Sequence, residues 1–389
     1  MRNMVVLSGS SHPALTQDIC FRLGIREGQV ERSKFSNNET LVNIRDSVRG
    51  KDVYVVSPGC GSHKTSLNDN LMELLITISA CKTASASKVT AVVPVFPYSR
   101  QPDIPYSKAG APLARAPELT HRDFYSFNSR PPTPVTDKFD RAATKKQLNG
   151  IKESEVPEDP PRIFPEGPKT RNSIYREWVA QAGTLVAGLL TCAGADHIIT
   201  MDLHDPQFQG FFDIPVDNLY GKPLLQKFIT TKIPDYQDAV IVSPDAGGAK
   251  RATAIADTLC KLIPKKIYDR QNAHMMLVGD VSGKVAILID DLVDTANTIT
   301  RSAKTLKDNG ATYVYGLVTH AILSGDAIER INASAIDRII VSNTVPQDEH
   351  KRLCPKLDVL DVAPIIAEAI RRTHNGESVS LLFNYAQEV

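Results

Sequence analysis

The segment that most constrains this chain is an apolar run that ends in two carboxylates and then in a cluster of small hydroxyl residues. Residues 285–300 read Val-Ala-Ile-Leu-Ile-Asp-Asp-Leu-Val-Asp-Thr-Ala-Asn-Thr-Ile-Thr. An apolar run of this length, bounded by polar residues, predicts a buried parallel strand, and Ile299–Asp308 has the composition of a helix. The loop between them is therefore expected at the carboxyl edge of a parallel sheet.

This strand-to-helix loop combines two kinds of ligand group. Backbone N–H groups at a helix start, together with the hydroxyls of Thr295 and Thr298, can surround a phosphate. Asp290 and Asp291 are expected to point at neighbouring sugar hydroxyls. A phosphate clamp beside a diol clamp indicates a ribose phosphate, and the alternative is an Asp-rich strand end that only caps a helix.

Length and composition exclude several classes of protein. The chain has 389 residues, of which 42% are hydrophobic, enough for two domains with a sizeable core. The chain has 45 Lys and Arg residues and 44 Asp and Glu residues. Its net charge of +1 is too small to attract nucleic acid or an acidic membrane. Six scattered cysteines are typical of reduced core residues, and no apolar run suits a signal peptide or a bilayer span. We expect a soluble, cytoplasmic protein.

Strand-like and helix-like segments alternate along the chain, which predicts an α/β fold with mostly parallel sheets flanked by helices. The predicted strands are Met4–Leu7, Val53–Ser57, Val89–Val95, His197–Met201, Ala239–Ser243, Val285–Ile289, Tyr313–Val318 and Arg338–Val341. Most alternate with longer helical segments, such as Asn68–Lys82 and Arg251–Leu262. The alternation occurs twice, and a faint similarity between the segments that begin at Val5 and Val240 favours two related halves.

The stretch of about 102–175 interrupts this alternation, because it is rich in Pro, Lys, Arg and Asp. A loop this long is unexpected inside a compact domain, so we interpret it as a largely irregular insertion. It is either mobile or lies along a partner surface, and a low-complexity spacer without chemistry is the default interpretation.

A second strand end carries groups suited to metal and phosphate. Asp202 and His204 follow the predicted strand His197–Met201, on the same side of its end. Together with Asp213 and Asp217 they offer hard oxygen ligands and one imidazole, which suits Mg²⁺ bound to nucleotide phosphates. Asp and His are also common at strand ends without any function, so an ordinary structural role stays open.

Three further segments could contact a nucleotide. Residues 243–251 read Ser-Pro-Asp-Ala-Gly-Gly-Ala-Lys-Arg, a turn whose glycines let the backbone approach a pyrophosphate, although such a turn is often only a turn. Residues 35–40 (Phe-Ser-Asn-Asn-Glu-Thr) and 96–101 (Phe-Pro-Tyr-Ser-Arg-Gln) each combine an aromatic ring with polar groups, as an adenine site does. Taken alone, each of the last two is better interpreted as an ordinary loop.

Taken together, these segments resemble the ribose-phosphate pyrophosphokinase family, the phosphoribosyl pyrophosphate (PRPP) synthetases. The similarity runs from Met4 to about Phe383 without the insertion. The matching segments are Phe35–Thr40, Asn68–Leu75, Ala193–His204, Gln209–Tyr220, Ser243–Arg251, Asp290–Thr298 and Ala367–Ser380. The resemblance implies two tandem type I phosphoribosyltransferase-like domains at 1–219 and 220–389, with the insertion in the first and the ribose-5-phosphate loop in the second.

The resemblance also implies an activity, which is transfer of the diphosphoryl group of ATP to the C1 hydroxyl of ribose 5-phosphate with Mg²⁺, giving PRPP and AMP. Such a transfer depends mostly on positioning and charge neutralisation, which fits a site with metal, Arg and Lys. The family assembles into dimers and larger rings. The implied partners are therefore further copies of this chain or PRPP synthetase paralogues.

The functional residues of the family carry over to this sequence in four groups. The ATP contacts, of which the first three reach the adenine of a neighbouring subunit, are Phe35, Asn37, Glu39, Arg100, Gln101 and His204. The metal site is Asp202, His204, Asp213 and Asp217. The ribose-5-phosphate site is Asp245, which also contacts magnesium, together with Asp290, Asp291, Asp294, Thr295, Asn297 and Thr298. The catalytic group is His204, Lys265 and Arg270.

Three departures from the family pattern bear on whether this chain is active alone. Ala296-Asn297 stands where the family usually has glycine, so a side chain is expected where backbone N–H groups should meet phosphate. In Lys261–Met276, Lys265 could replace the lysine of the family's Lys-x-Arg pair, but no arginine follows two residues later. The third departure is the insertion directly after Arg100-Gln101, which resembles divergent subunits of fungal-type systems.

Three functions stay open at this point. The chain is an active ribose-phosphate diphosphokinase within a PRPP synthetase assembly, or it is a catalytically weak regulatory or structural subunit of that assembly. The third is a phosphoribosyltransferase that consumes PRPP, which would share the Asp290–Thr298 loop but leaves Arg100, His204 and Phe35–Thr40 unexplained.

Overall fold

The computed structural model describes residues 3–61, 65–99, 182–245, 248–262 and 280–387. In these ranges the chain forms two five-stranded sheets and one two-stranded hairpin. The predicted insertion, the ATP contacts Arg100 and Gln101, and the catalytic residues Lys265 and Arg270 all lie outside the described residues. Within the described ranges, no helix is both long enough and apolar enough to serve as a membrane span.

The first sheet and the hairpin come from the amino-terminal part of the chain. In chain order its elements are β1 (Met4–Ser8), α1 (Pro13–Leu23), β2 (Val30–Lys34), β3 (Thr40–Ile44), β4 (Asp52–Val56), α2 (Leu67–Thr83), β5 (Lys88–Val93), α3 (Ala182–Ala193), β6 (His197–Met201) and β7 (Val216–Leu219). The strand order is β1-β4-β5-β6-β7 with every pair parallel, and β2 pairs antiparallel with β3.

The second sheet follows the same plan. Its elements are α4 (Lys222–Lys232), β8 (Val240–Val242), α5 (Ala249–Leu262), β9 (Val285–Val293), α6 (Asn297–Asp308), β10 (Tyr313–Ala321), α7 (Ala327–Ala333), β11 (Arg338–Ser342), α8 (Asp348–Leu353), β12 (Leu357–Leu360) and α9 (Ala363–Asn375). The order is β12-β11-β10-β9-β8, again all parallel. The predicted α/β fold with parallel sheets flanked by helices is confirmed.

Helices cover both faces of each sheet because neighbouring strand residues enter different cores. In β1, Val6 packs in a core with α1 and α9, whereas Val5 packs in a core with α2 and α3. In β9, Leu288 packs in a core with α6, whereas Ile289 packs in a core with α5. The division at 219 and 220 separates the two sheets and stays a prediction, since α9 packs on α1 beside the first sheet.

Buried polar groups join the carboxyl ends of the two sheets. Asp202, which follows β6, accepts hydrogen bonds at Oδ2 from the Thr319 hydroxyl of β10 (2.6 Å) and from the backbone N–H of Gly221 (3.0 Å). A Cβ at Gly221 would stand 2.8 Å from that oxygen, so glycine permits the approach. Nε2 of His320 lies 2.9 Å from the carbonyl oxygen of Met201. Burial lowers the pKa of His320, which is consistent with a neutral ring that donates to this carbonyl.

Two leucines of α3 provide a matched test of this packing. Leu190 is fully buried in the first core, whereas Leu185 is 64% exposed on the same helix. Leu190→Ala should lower the free energy of unfolding by about 2–5 kcal/mol, because it removes buried methyl groups and leaves a cavity. Leu185→Ala should change it by less than about 0.5 kcal/mol. Urea unfolding followed by circular dichroism measures both, and equal losses would contradict the placement of α3.

Candidate active site

The carboxyl end of β9 separates the two adjacent aspartates of the sequence motif. Asp290 and Asp291 both lie within the strand Val285–Val293, so their side chains point to opposite faces. Asp290 shares the face of Leu288, which packs with α6, and Asp291 shares the face of Ile289, which packs with α5. The two carboxylates therefore have different neighbours.

Asp291 is the centre of a buried charged cluster. Its side chain is only 5% exposed, Oδ1 accepts a hydrogen bond from Nη1 of Arg251 at 2.8 Å, and Oδ2 lies 2.6 Å from Nδ1 of His204. Burial alone would raise the pKa of Asp291, but the hydrogen bond to His204 and the charge of Arg251 outweigh it and hold the pKa below its usual range. The carboxylate thus ties β9 to α5 and to the loop after β6.

His204 is half exposed, with its Nδ1 side bonded to Asp291. The hydrogen bond to Asp291 is the main cause that raises the pKa of His204, and burial opposes it. The imidazole therefore holds its proton to a higher pH than an isolated histidine. A cationic ring beside a strand end is suited to contact phosphate oxygens.

Asp290 has the opposite character. Burial, followed by its hydrogen bond with Asp291 and the charge of Asp291, raises the pKa of Asp290 to about 7, and the charge of Asp245 adds to the shift. Asp245 is exposed after β8, and its Oδ1 accepts a hydrogen bond from the backbone N–H of Gly248 at 2.9 Å. The negative charges of Asp245 and Asp290 repel each other, and such a pair of carboxylates favours the binding of a cation.

The loop between β9 and α6 presents an open helix start. Thr295, Asn297 and Thr298 are exposed and Asp294 is partly buried in the same loop. The N-cap residue Ala296 makes no side-chain hydrogen bond to the first turn of α6. It therefore does not cap the backbone N–H groups of that turn.

The substitution of glycine by Ala296 has a different consequence from the one expected. Ala296 has φ 58°, in the left-handed region where alanine is strained by about 1–2 kcal/mol relative to glycine. Ala296 is only 4% exposed and packs in the core with residues of α6. The expected intrusion into the phosphate side of the loop therefore does not occur at Ala296. Asn297 is exposed, and its Nδ2 donates to the Thr295 hydroxyl at 3.2 Å.

The structure does not bring the predicted metal residues together. Asp202 is 8% exposed and is bonded to Gly221 and Thr319, Asp217 pairs with Nε2 of His197 at 2.8 Å, and Asp213 is exposed. His197 begins β6 and Asp202 follows its end, so at about 3.3 Å per residue the two positions are far apart. Among the described residues, no group of three or more His, Cys, Asp or Glu side chains could hold a metal ion.

The predicted adenine contacts occupy the tip of the β2–β3 hairpin. Phe35 is 53% exposed, and its backbone N–H donates to the carbonyl of Glu39 at 2.9 Å. Asn37 accepts at Oδ1 from the N–H of Glu39 at 3.2 Å. These local bonds hold the ring and the polar groups at an exposed tip, and their contact with a neighbouring subunit stays a prediction.

Sequence reasoning did not assign roles to Arg251, Thr319 and His320. Arg251 is the last residue of the segment around the glycine turn, and its partner Asp291 lies 40 residues away. Thr319 and His320 interrupt the apolar run of β10 with buried polar groups. Because a buried polar side chain requires a partner, such interruptions were the available signal.

Comparisons with known proteins agree with this architecture. Residues 4–112 match a family model described as the N-terminal domain of ribose phosphate pyrophosphokinase, and residues 260–384 match one described as a phosphoribosyl synthetase-associated domain. Ribose-phosphate pyrophosphokinase 5 of Schizosaccharomyces pombe is 54% identical over 390 residues, which cover 100% of this chain and 99% of that protein.

A solved structure extends the likeness to the fold. The crystal structure of phosphoribosylpyrophosphate synthetase from Mycobacterium smegmatis matches 96% of this chain and 100% of its own, with a TM-score of 0.69 and 32% identity. The similarity in sequence and the similarity in fold both extend over almost the whole length. The chain therefore belongs to the ribose-phosphate pyrophosphokinase family.

Proposed function

We propose that this chain is a ribose-phosphate diphosphokinase, which transfers the diphosphoryl group of ATP to ribose 5-phosphate and releases AMP, and that it acts as a subunit of a PRPP synthetase assembly. The observation that carries the proposal is the open start of α6 directly beside Asp290, a phosphate site next to a diol site. Family membership supports the same substrates.

In this proposal the sugar phosphate occupies the loop between β9 and α6. The first-turn N–H groups of α6 and the hydroxyls of Thr295 and Thr298 bind the 5-phosphate, since these hydroxyls are exposed and the N-cap residue Ala296 makes no side-chain hydrogen bond to the helix start. Asp290 accepts hydrogen bonds from the ribose hydroxyls. Its ionised form is the one that does so, and a raised pKa makes that ionisation dependent on pH near neutrality.

The ATP phosphates are then expected beside His204, at the strand end of the first sheet. The C1 oxygen of ribose 5-phosphate attacks the β-phosphorus, the bond from that phosphorus to the oxygen it shares with the α-phosphorus breaks, and AMP leaves while the hydroxyl proton is released. Cationic groups stabilise the charge that spreads over the transferring phosphoryl oxygens. His204 supplies one, and Lys265 and Arg270 remain proposed contributors from the segment outside the described residues.

Magnesium fits Asp245, which the family resemblance already implies as a magnesium contact, and the neighbouring Asp290 better than it fits the predicted metal site of Asp202, His204, Asp213 and Asp217. The side chains of Asp202 and Asp217 are committed to protein partners, whereas Asp245 is exposed and its charge raises the pKa of Asp290. Mg²⁺ needs only one or two protein carboxylates when phosphates supply the remaining oxygens. We therefore propose that Asp245 and Asp290 hold it, and that the ion neutralises phosphate charge when bound.

Turnover by the purified chain tests the proposed function. With ATP, ribose 5-phosphate and Mg²⁺, formation of PRPP and AMP is expected, either by the chain alone or after addition of a PRPP synthetase paralogue. Activity only in the mixture assigns the catalytically weak subunit role. Release of pyrophosphate from PRPP and a nucleobase, with no PRPP synthesis in either setting, would contradict the proposal and support a phosphoribosyltransferase.

The raised pKa of Asp290 predicts how the stability of the chain depends on pH. Because the folded pKa of about 7 exceeds the ordinary value of 3.8, the native state keeps a proton that the unfolded chain has released between these values. The stabilisation from this proton is complete below pH 4 and is lost as the pH rises through 7, by at most about 4 kcal/mol.

Asp290→Asn removes this titration. Its free energy of unfolding, relative to that of the unmodified chain, should therefore increase between pH 4.5 and pH 8 when both are measured by urea unfolding. Asp308→Asn is the matched control, because that carboxylate is exposed at the end of α6. A difference for Asp290→Asn that stays flat with pH would show that the buried carboxylate is already ionised.

A further inference from the structure

We infer that Asp291 is a positioning residue which orients His204 toward the ATP phosphates, and that it does not bind the sugar. The inference deepens the proposed function and rests on it for the identity of the ligands. The two adjacent aspartates of β9 then have different tasks, whereas the sequence analysis predicts that both bind ribose 5-phosphate.

The Asp291 carboxylate is poorly accessible to a ligand. The Asp291 side chain is 5% exposed, and each of its oxygens is engaged by a protein donor, Oδ1 by Arg251 at 2.8 Å and Oδ2 by His204 at 2.6 Å. Each oxygen keeps a further lone pair, but a sugar hydroxyl could reach it only by entering this buried charged cluster. Asp290 is less buried, and among the hydrogen bonds of the described residues its Oδ1 accepts only that of the backbone N–H of Asp291, at 2.9 Å.

The strand geometry is the second argument. Successive side chains of a strand point to opposite faces, so Asp290 faces the side of α6 while Asp291 faces the side of α5. The uncapped phosphate site lies at the start of α6. A ribose held by that helix start therefore meets Asp290 first, while Asp291, although close to Asp290, is directed toward Arg251 and His204.

Hydrogen-bond chemistry gives Asp291 its task. An ionised carboxylate only accepts hydrogen bonds, so the 2.6 Å contact requires that Nδ1 of His204 carries the proton. The other ring nitrogen, Nε2, is then the one left to meet a ligand. A carboxylate that fixes a histidine tautomer in this way is a recurrent device at metal-binding histidines, where its loss typically costs about 10–100-fold in metal affinity or activity.

The arrangement also makes the two halves of the site depend on each other. His204 follows β6 of the first sheet, whereas Asp291 and Arg251 belong to β9 and α5 of the second half. Arg251 donates to the other oxygen of Asp291. Its positive charge, in addition to the hydrogen bond from His204, keeps this buried carboxylate ionised. The orientation of the phosphate-contacting ring is thus set by the strand that carries the sugar site.

A matched pair of variants tests the inference. Asp291→Asn should lower kcat by about 10–100-fold while the Kd of ribose 5-phosphate, measured by calorimetry, changes by less than about threefold. Asp290→Asn should raise that Kd by about tenfold or more, because it removes the sugar acceptor. If Asp291→Asn weakens ribose 5-phosphate as much as Asp290→Asn does, Asp291 binds the sugar and the inference fails.

A double variant separates positioning from general damage to the fold. If Asp291 acts through His204, then His204→Ala combined with Asp291→Asn should be no slower than His204→Ala alone. Independent losses that multiply would overturn the inference. Melting temperatures of the three variants verify that each one is folded.

A spectroscopic measurement on the unmodified chain needs neither turnover nor a folded Asp291 variant. In ¹⁵N-histidine-labelled protein at a pH where the ring is neutral, with the His204 signals assigned by their loss in His204→Gln, the proton should reside on Nδ1. A proton on Nε2 with Nδ1 bare would overturn the inference. Failure of the proposed function would instead appear as absent turnover in the presence of a paralogue, whatever the tautomer.

Discussion

The candidate site depends on buried polar contacts that hold the carboxyl ends of two parallel sheets against each other. Asp202 links the end of β6 to Thr319 of β10, and His320 bonds to the backbone of Met201. In a low-dielectric interior each of these groups would be costly if it lost its partner, so the contacts fix the sheets in one arrangement. His204 and Asp291 meet because of this arrangement.

The pleat of β9 then divides the chemistry of the site. Asp290 and Asp291 are adjacent in sequence, yet their environments move their pKa values in opposite directions. His204 and Arg251 keep Asp291 ionised. Burial and negatively charged neighbours raise the pKa of Asp290, so its neutral form persists to a higher pH. One carboxylate is suited to position an imidazole, and the other is suited to exchange a proton for a sugar or a cation.

Short sequence patterns were enough to predict the buried strands of both sheets. The predicted strands all occur, because apolar runs bounded by polar residues specify buried parallel strands. The β2–β3 hairpin and the short strands β7 and β12 were missed, since most of their residues are at least partly exposed and polar residues interrupt the apolar ones. The packing of α9 on α1 could not be read from the sequence, because amphipathicity does not name a partner.

Among the site residues, too, those that lie close together in the sequence were predicted and those with distant partners were not. The loop from Asp290 to Thr298 was found from the sequence because its strand, hydroxyls and helix start are contiguous. The roles of Asp202, Asp291 and Arg251 were not, because each depends on a partner that is distant in sequence, such as Thr319 for Asp202. Residue type gave the possible chemistry, and only the partner decided between a ligand contact and a protein contact.

A crystal structure with ribose 5-phosphate bound tests the central claim most directly. The account predicts the 5-phosphate at the first turn of α6, the ribose hydroxyls on Asp290, and Asp291 still bonded to His204 and Arg251. A sugar bonded to Asp291, or a ribose 5-phosphate bound away from the end of β9, would contradict it.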